Sequence, residues 1–163
     1  MEHQINIILT GIGATALLDL WTVVRKKAFG TAMPNYGLVG RWIAHMPQGR
    51  FRHASIAKAE PRRGELAIGW TAHYLIGVAF AALLPAVAGA SWFERPTLLP
   101  ALALGIATVA APFLVMQPSM GAGIAASRTP DPRTARRQSI VTHAIFGLGL
   151  YAAAVIIEFI QQH

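Results

Sequence analysis

The chain has 163 residues, room for one domain, of which 54% are hydrophobic and only 13% charged. A soluble domain carries about a quarter charged residues, so the charge needed to clothe a water-facing surface is missing. The net charge is +7, and its basic residues flank apolar runs, so anionic lipid headgroups and not nucleic acid are the expected partner; with no cysteine, disulfides, thiolate metal sites and Cys nucleophiles are excluded.

Met1-Glu2-His3-Gln4 is not a basic leader, and no small-residue cleavage site follows the first apolar run, so that run reads as a retained span. Four runs are long enough to cross about 30 Å of hydrocarbon, which takes roughly 20 helical residues. They cover about 5–24, 66–90, 98–116 and 139–160. Backbone polar groups cannot go unpaired in lipid, and the alternation of a membrane barrel is absent, so all four read as helices. The predicted fold is an all-α polytopic membrane protein, one membrane domain over 1–163.

The loop 25–65 carries nine Lys and Arg, the link 91–97 carries one, and the loop 117–138 carries four. Positive-inside therefore places both long loops in the cytoplasm and both termini on the outer side. Within loop one, Leu38 to Met46 spaces apolar and basic residues as an amphipathic helix does, ending at Pro47-Gln48-Gly49, and reads as a cytoplasmic segment lying on the interface. Ser55 to Ala59 suggests a further turn of helix. Trp92 and Phe93 are expected as aromatic anchors at the outer interface. Pro112 should kink the third span, and Met116-Gln117-Pro118 through Gly123 should break it, either as an ordinary helix C-cap with glycines or as a re-entrant turn closing the cytoplasmic mouth of a site.

Asp19, His73 and His143 lie in three different spans, each roughly 6–11 Å below the cytoplasmic boundary at 1.5 Å per residue. Each shares a helix face with small residues at four-residue spacing. Asp19 follows Gly11 and Thr15; His73 stands with Gly69, Gly77 and Ala81; His143 stands with Ser139 and Gly147. An Asp in hydrocarbon costs about 3 kcal/mol, so these groups should face inward, either with Asp19 and a His as a hydrogen-bonded pair that locks the bundle or as a ligand or proton site with either His as candidate general acid or base. An Asp with two His also suits a divalent transition metal, although no HExxH-like motif accompanies it. Trp70 and Tyr74 flank His73 as belt residues or pocket walls, and Met116 and Gln117 stand at the same end of span three. In loop one, Arg41, Arg50, Arg52 and His53, with Trp42 and His45, form a basic aromatic patch suited to lipid headgroups or to a substrate phosphate or carboxylate. Glu65 is expected to pair with Arg62 or another arginine of that loop.

Several stretches together resemble a known family: Gly11-Ile12-Gly13-Ala14-Thr15 with Asp19-Leu20-Trp21; Gly40-Arg41-Trp42; Gly49-Arg50-Phe51-Arg52-His53; Gly69-Trp70-Thr71-Ala72-His73-Tyr74; Met116-Gln117-Pro118 with Ala125-Ala126-Ser127-Arg128; and His143 with Phe146-Gly147-Leu148-Gly149-Leu150-Tyr151. The chain is similar along nearly its whole length to small bacterial inner-membrane proteins catalogued as a domain of unknown function. The resemblance implies a bacterial inner-membrane location and no activity. Three readings stand: a protein that binds or transports a small ligand or ion, a membrane enzyme acting on a lipid-like or quinone-like substrate, and a non-catalytic subunit of a larger membrane complex. Four short spans enclose little volume, so a homo-oligomer is a natural setting for any of them.

Overall fold

A computed structural model describes residues 2–163. Among the described residues the regular structure is helical: α1 (Glu2–Phe29), α2 (Tyr36–His45), α3 (Glu65–Ala81), α4 (Leu84–Ala88), α5 (Leu98–Ala107), α6 (Gln117–Ser119) and α7 (Pro132–Gln162). Short 3-10 turns cover Met46–Gln48, Ile56–Lys58, Ala90–Glu94 and Ile124–Ala126. Four stretches are long and apolar enough to cross a membrane, His3–Phe29, Glu65–Ala88, Leu98–Ser119 and Pro132–Gln162. Only 17–33% of each apolar window is buried within the protein. Water would not tolerate that much exposed apolar surface, whereas acyl chains do. The chain is a multi-pass membrane protein.

Sequence explains where these helices bend and stop. Pro85 has no N–H to give the Ala81 carbonyl, so the second apolar stretch breaks at Ala82–Leu83 and restarts as α4. Ahead of Pro112, which cannot donate to the Thr108 carbonyl, α5 ends at Ala107, and the proline opens a π-turn over Pro112–Met116. Helix then continues through α6 to Ser119, beyond the expected stop at Met116, and ends where Gly121 takes φ +97°. α7 begins seven residues before the expected span because Asp131 caps it. The Asp131 carboxylate accepts the Thr134 N–H at 3.1 Å, and Pro132 opens the helix where its missing N–H costs nothing.

The chain resolves into two compact units. The first comprises the N-terminal segment through Met33, Tyr74–Thr108 and Val141–His163. Its core holds Ala14, Leu18, Ala81, Leu84, Leu104, Phe146 and Leu150. Trp92 and Phe93 belong to this core, each 4% exposed, and so do not serve as lipid-facing anchors. The 3-10 turn Ala90–Glu94 folds both rings inward, and the Trp92 indole N–H donates to the Thr97 hydroxyl at 3.2 Å. In α5 and α7, Gly105 and Gly147 meet backbone to backbone, leaving no room for a Cβ at Gly105.

The second unit comprises Pro34–His73 and Val109–Ile140. Here α2 crosses the start of α3 at Gly40 and Gly69, where a Cβ on Gly40 would collide with the Glu65 carbonyl. Loop one is pinned to the turn after α6: the His53 N–H donates to Ser119 O at 2.8 Å and the Ile56 N–H to Met120 O at 3.0 Å.

Candidate functional site

In the first unit, α1 and α3 form one seam. Gly11 lies against the backbone of Gly77 and Val78, and the buried Thr15 against Gly77. Carried one turn further along α1, the same face presents Asp19, and the Tyr74 hydroxyl donates to its carboxylate at 3.1 Å. The face predicted from four-residue spacing is thus the packing face. The second seam, α5 against α7, carries His143. The Thr108 hydroxyl donates to its own helix at Gly105 O, 2.6 Å away. Its hydrogen being spent, it accepts from His143 Nδ1 at 2.8 Å, which fixes Nδ1 as the protonated nitrogen. Phe80 stands beside the imidazole, ring centroids 6.4 Å apart.

In the second unit, His73 stacks on Tyr36 with centroids 4.2 Å apart, and its Nε2 shares a 3.0 Å hydrogen bond with the Tyr36 hydroxyl. Trp70 closes the cluster, 4.6 Å from Tyr36 and 38% exposed. Gln117 reaches Ser139 at 3.4 Å through Nε2, while its buried Oε1 has no partner among the described residues. Met116, half-buried, ends the π-turn.

Loop one divides into a structural and an open part. Arg41 forms a bidentate pair with Glu65, both N···O distances 2.8 Å, and its remaining nitrogen donates to Ala57 O and Ala59 O at 3.3 and 3.1 Å. Every guanidinium nitrogen is therefore engaged, and Arg41 ties α2, α3 and the loop together. Glu65 also accepts the Arg62 backbone N–H at 2.9 Å, but its ion pair is with Arg41, and the Arg62 guanidinium lies against Glu60 at 3.4 Å. Trp42 donates to Phe51 O at 2.9 Å. His45, 1% exposed, receives the Arg62 guanidinium on Nδ1 at 3.5 Å, so its Nε2 carries the hydrogen and donates to Glu60 O at 3.0 Å. His53 meets the His45 ring edge-on at 5.0 Å, and its buried Nε2 has no partner among the described residues. Arg50 and Arg52 are exposed.

A metal set of Asp19, His73 and His143 does not form: among the described residues no three His, Cys, Asp or Glu are grouped to hold an ion. Sequence reasoning missed Tyr36 and Thr108, the two hydroxyls that hold these imidazoles. Thr108 carried a signal, as the hydroxyl residue in the middle of the third apolar run. The model of a family described as "Protein of unknown function (DUF2938)" matches residues 8–157. No curated protein and no solved structure matches the chain.

Proposed function

The chain belongs to the DUF2938 family, and from its own geometry we propose that it binds or transports a small ligand or ion through the ionisable residues of its apolar helices, Asp19, His73 and His143. One observation supports this reading above the others. Each of the three is held by a hydroxyl: Asp19 by Tyr74, His73 by Tyr36, His143 by Thr108. A hydroxyl bonded to an ionisable group fixes that group's orientation on its helix, so less ordering is left to accompany ligand binding. Ionisable groups on membrane helices mark ligand and proton pathways, and imidazole titrates in the physiological range. The excess of Lys and Arg in loops one and three supports a bacterial inner-membrane orientation with both termini periplasmic, and anionic headgroups as partners of loop one.

The test is a thermal-shift screen of the detergent-solubilised chain against mono- and divalent cations, short carboxylates and a short-chain quinone. Hits are repeated on Asp19→Asn, His73→Gln and His143→Gln. Stabilisation that disappears in these variants supports the reading; equal stabilisation of all four chains rejects it. A second reading, an enzyme acting on a quinone-like or lipid-like substrate, draws on the partly exposed Trp70 beside Tyr36 and His73. In that case a short-chain quinone quenches Trp fluorescence in the native chain and fails to do so in Tyr36→Ala.

A further inference from the structure

Loop one borders an open, solvent-facing cavity of about 370 Å³ lined by His45, Arg50, His53, Ser55, Lys58 and Glu60, with Ala54 and Ala59 between them. We propose that this cavity binds a phosphate-class anion, with Arg50, Lys58 and the Ser55 hydroxyl as its donors. This is independent of the intramembrane residues above.

Charge comes first. Arg50 and Lys58 are exposed, and among the described residues neither is in an ion pair. Glu60, the acidic member, lies 3.4 Å from Arg62 and its side chain is 70% exposed, so its charge is offset and turned to solvent. The balance at the wall is cationic, and a guanidinium with an ammonium is the pair that recognises phosphate, the first by its planar fork and the second as a point charge.

Donors and shape follow. Ser55 precedes the Ile56–Lys58 turn but makes no capping hydrogen bond, so its hydroxyl is left to donate into the cavity. Ala54 and Ala59 leave the space that larger side chains would fill. His45 forms a fixed wall, both ring nitrogens being spent on Arg62 and Glu60 O. The size lies at the lower end of small-molecule pockets, suited to a phosphate group with a small substituent.

Preorganisation completes the argument. The segment carrying Ser55 and Lys58 is held from both sides, by Ser119 O and Met120 O through the backbone of His53 and Ile56, and by Arg41 on Ala57 O and Ala59 O. A loop fixed this way spends little ordering entropy on binding. The Arg41–Glu65 pair is thus the frame of the site, and Arg50 with Lys58 its contacts.

The phosphate belongs either to a soluble compound or to a lipid headgroup, and one experiment separates the two. The full chain is reconstituted in phosphatidylcholine nanodiscs and titrated calorimetrically with inorganic phosphate; in parallel, nanodiscs containing phosphatidic acid are examined for retained lipid by native mass spectrometry. Saturable phosphate binding near one per chain supports a soluble ligand, and selective retention of phosphatidic acid supports a headgroup. In either arm, Arg50→Gln and Lys58→Gln should each weaken binding by roughly tenfold, while Arg63→Gln, the same charge change on an exposed residue outside the cavity, should leave it unaltered. All three positions are exposed, and unchanged thermal melts verify folding. Absence of binding in both arms overturns the proposal. So does binding that survives both cavity variants, or that falls equally with Arg63→Gln.

Discussion

Thr108 shows how one hydroxyl decides the state of an imidazole. It is 6% exposed, gives its hydrogen to Gly105 O and takes the Nδ1–H of His143. Valine keeps the volume and branching of threonine and deletes both bonds. Thr108→Val should therefore leave the imidazole N–H only the Gly105 carbonyl as acceptor and cost about 1 kcal/mol, whereas Thr108→Ser should keep most of the stability. Thermal melts of the two variants in one detergent check this, and equal melting points would refute the assignment of donor and acceptor. Glu65 and Arg41 teach the same lesson from the other direction. An acid at the mouth of a span beside many arginines is legible as one half of an ion pair. Which arginine it chooses is not, because Arg41 is 24 residues away and reaches Glu65 only where Gly40 lets α2 approach the α3 backbone. Local spacing identifies faces; partners depend on register between helices.

The helices carry that register in their glycines and caps. At Gly105 a Cβ would enter the backbone of Gly147, so Gly105→Ala should push α5 from α7 and cost about 1–3 kcal/mol, the usual penalty of overpacking, despite alanine's higher helix propensity. A melt unchanged or raised in Gly105→Ala would mean that the seam is not close-packed. Asp131 governs the start of α7 by accepting from Thr134, and that hydrogen bonding lowers its pKa from the ordinary 3.8. A depressed folded-state pKa means the cap's contribution is fully present above pH 3.8 and is lost as pH falls through the lower folded value. Asp131→Ala should lower stability at pH 7, and the gap between variant and native chain should close in acid below that range. The extended start of α7 was hidden in the sequence because hydropathy marks only the apolar part of a helix; Arg133, Arg136 and Arg137 dilute the signal while the cap still nucleates the turn. The burial of Trp92 and Phe93 was hidden for a related reason. An aromatic pair between two spans has the same composition whether it faces lipid or core, and only the backbone path of Ala90–Glu94 decides.

At the scale of the whole molecule, the four apolar stretches were legible from length and composition alone, because a backbone in lipid has few alternatives to helix. Orientation rests on a different signal, the uneven distribution of Lys and Arg, with thirteen in the loops 25–65 and 117–138 and one in the link between them. The chain is well suited to a direct test, since it has no cysteine and any introduced thiol is unique. Gln162→Cys, at the exposed end of α7, and Lys58→Cys, on the loop-one turn, are both accessible to a reagent that can reach their side of the membrane. In bacterial spheroplasts a membrane-impermeant maleimide should label Gln162→Cys directly and Lys58→Cys only after the membrane is opened. The reverse pattern would invert the protein and put the Arg50–Lys58 cavity outside the cell. Labelling of both thiols in intact spheroplasts would put the C-terminus and loop one on the same face, which four crossings cannot do, and would reduce the number of stretches that truly span.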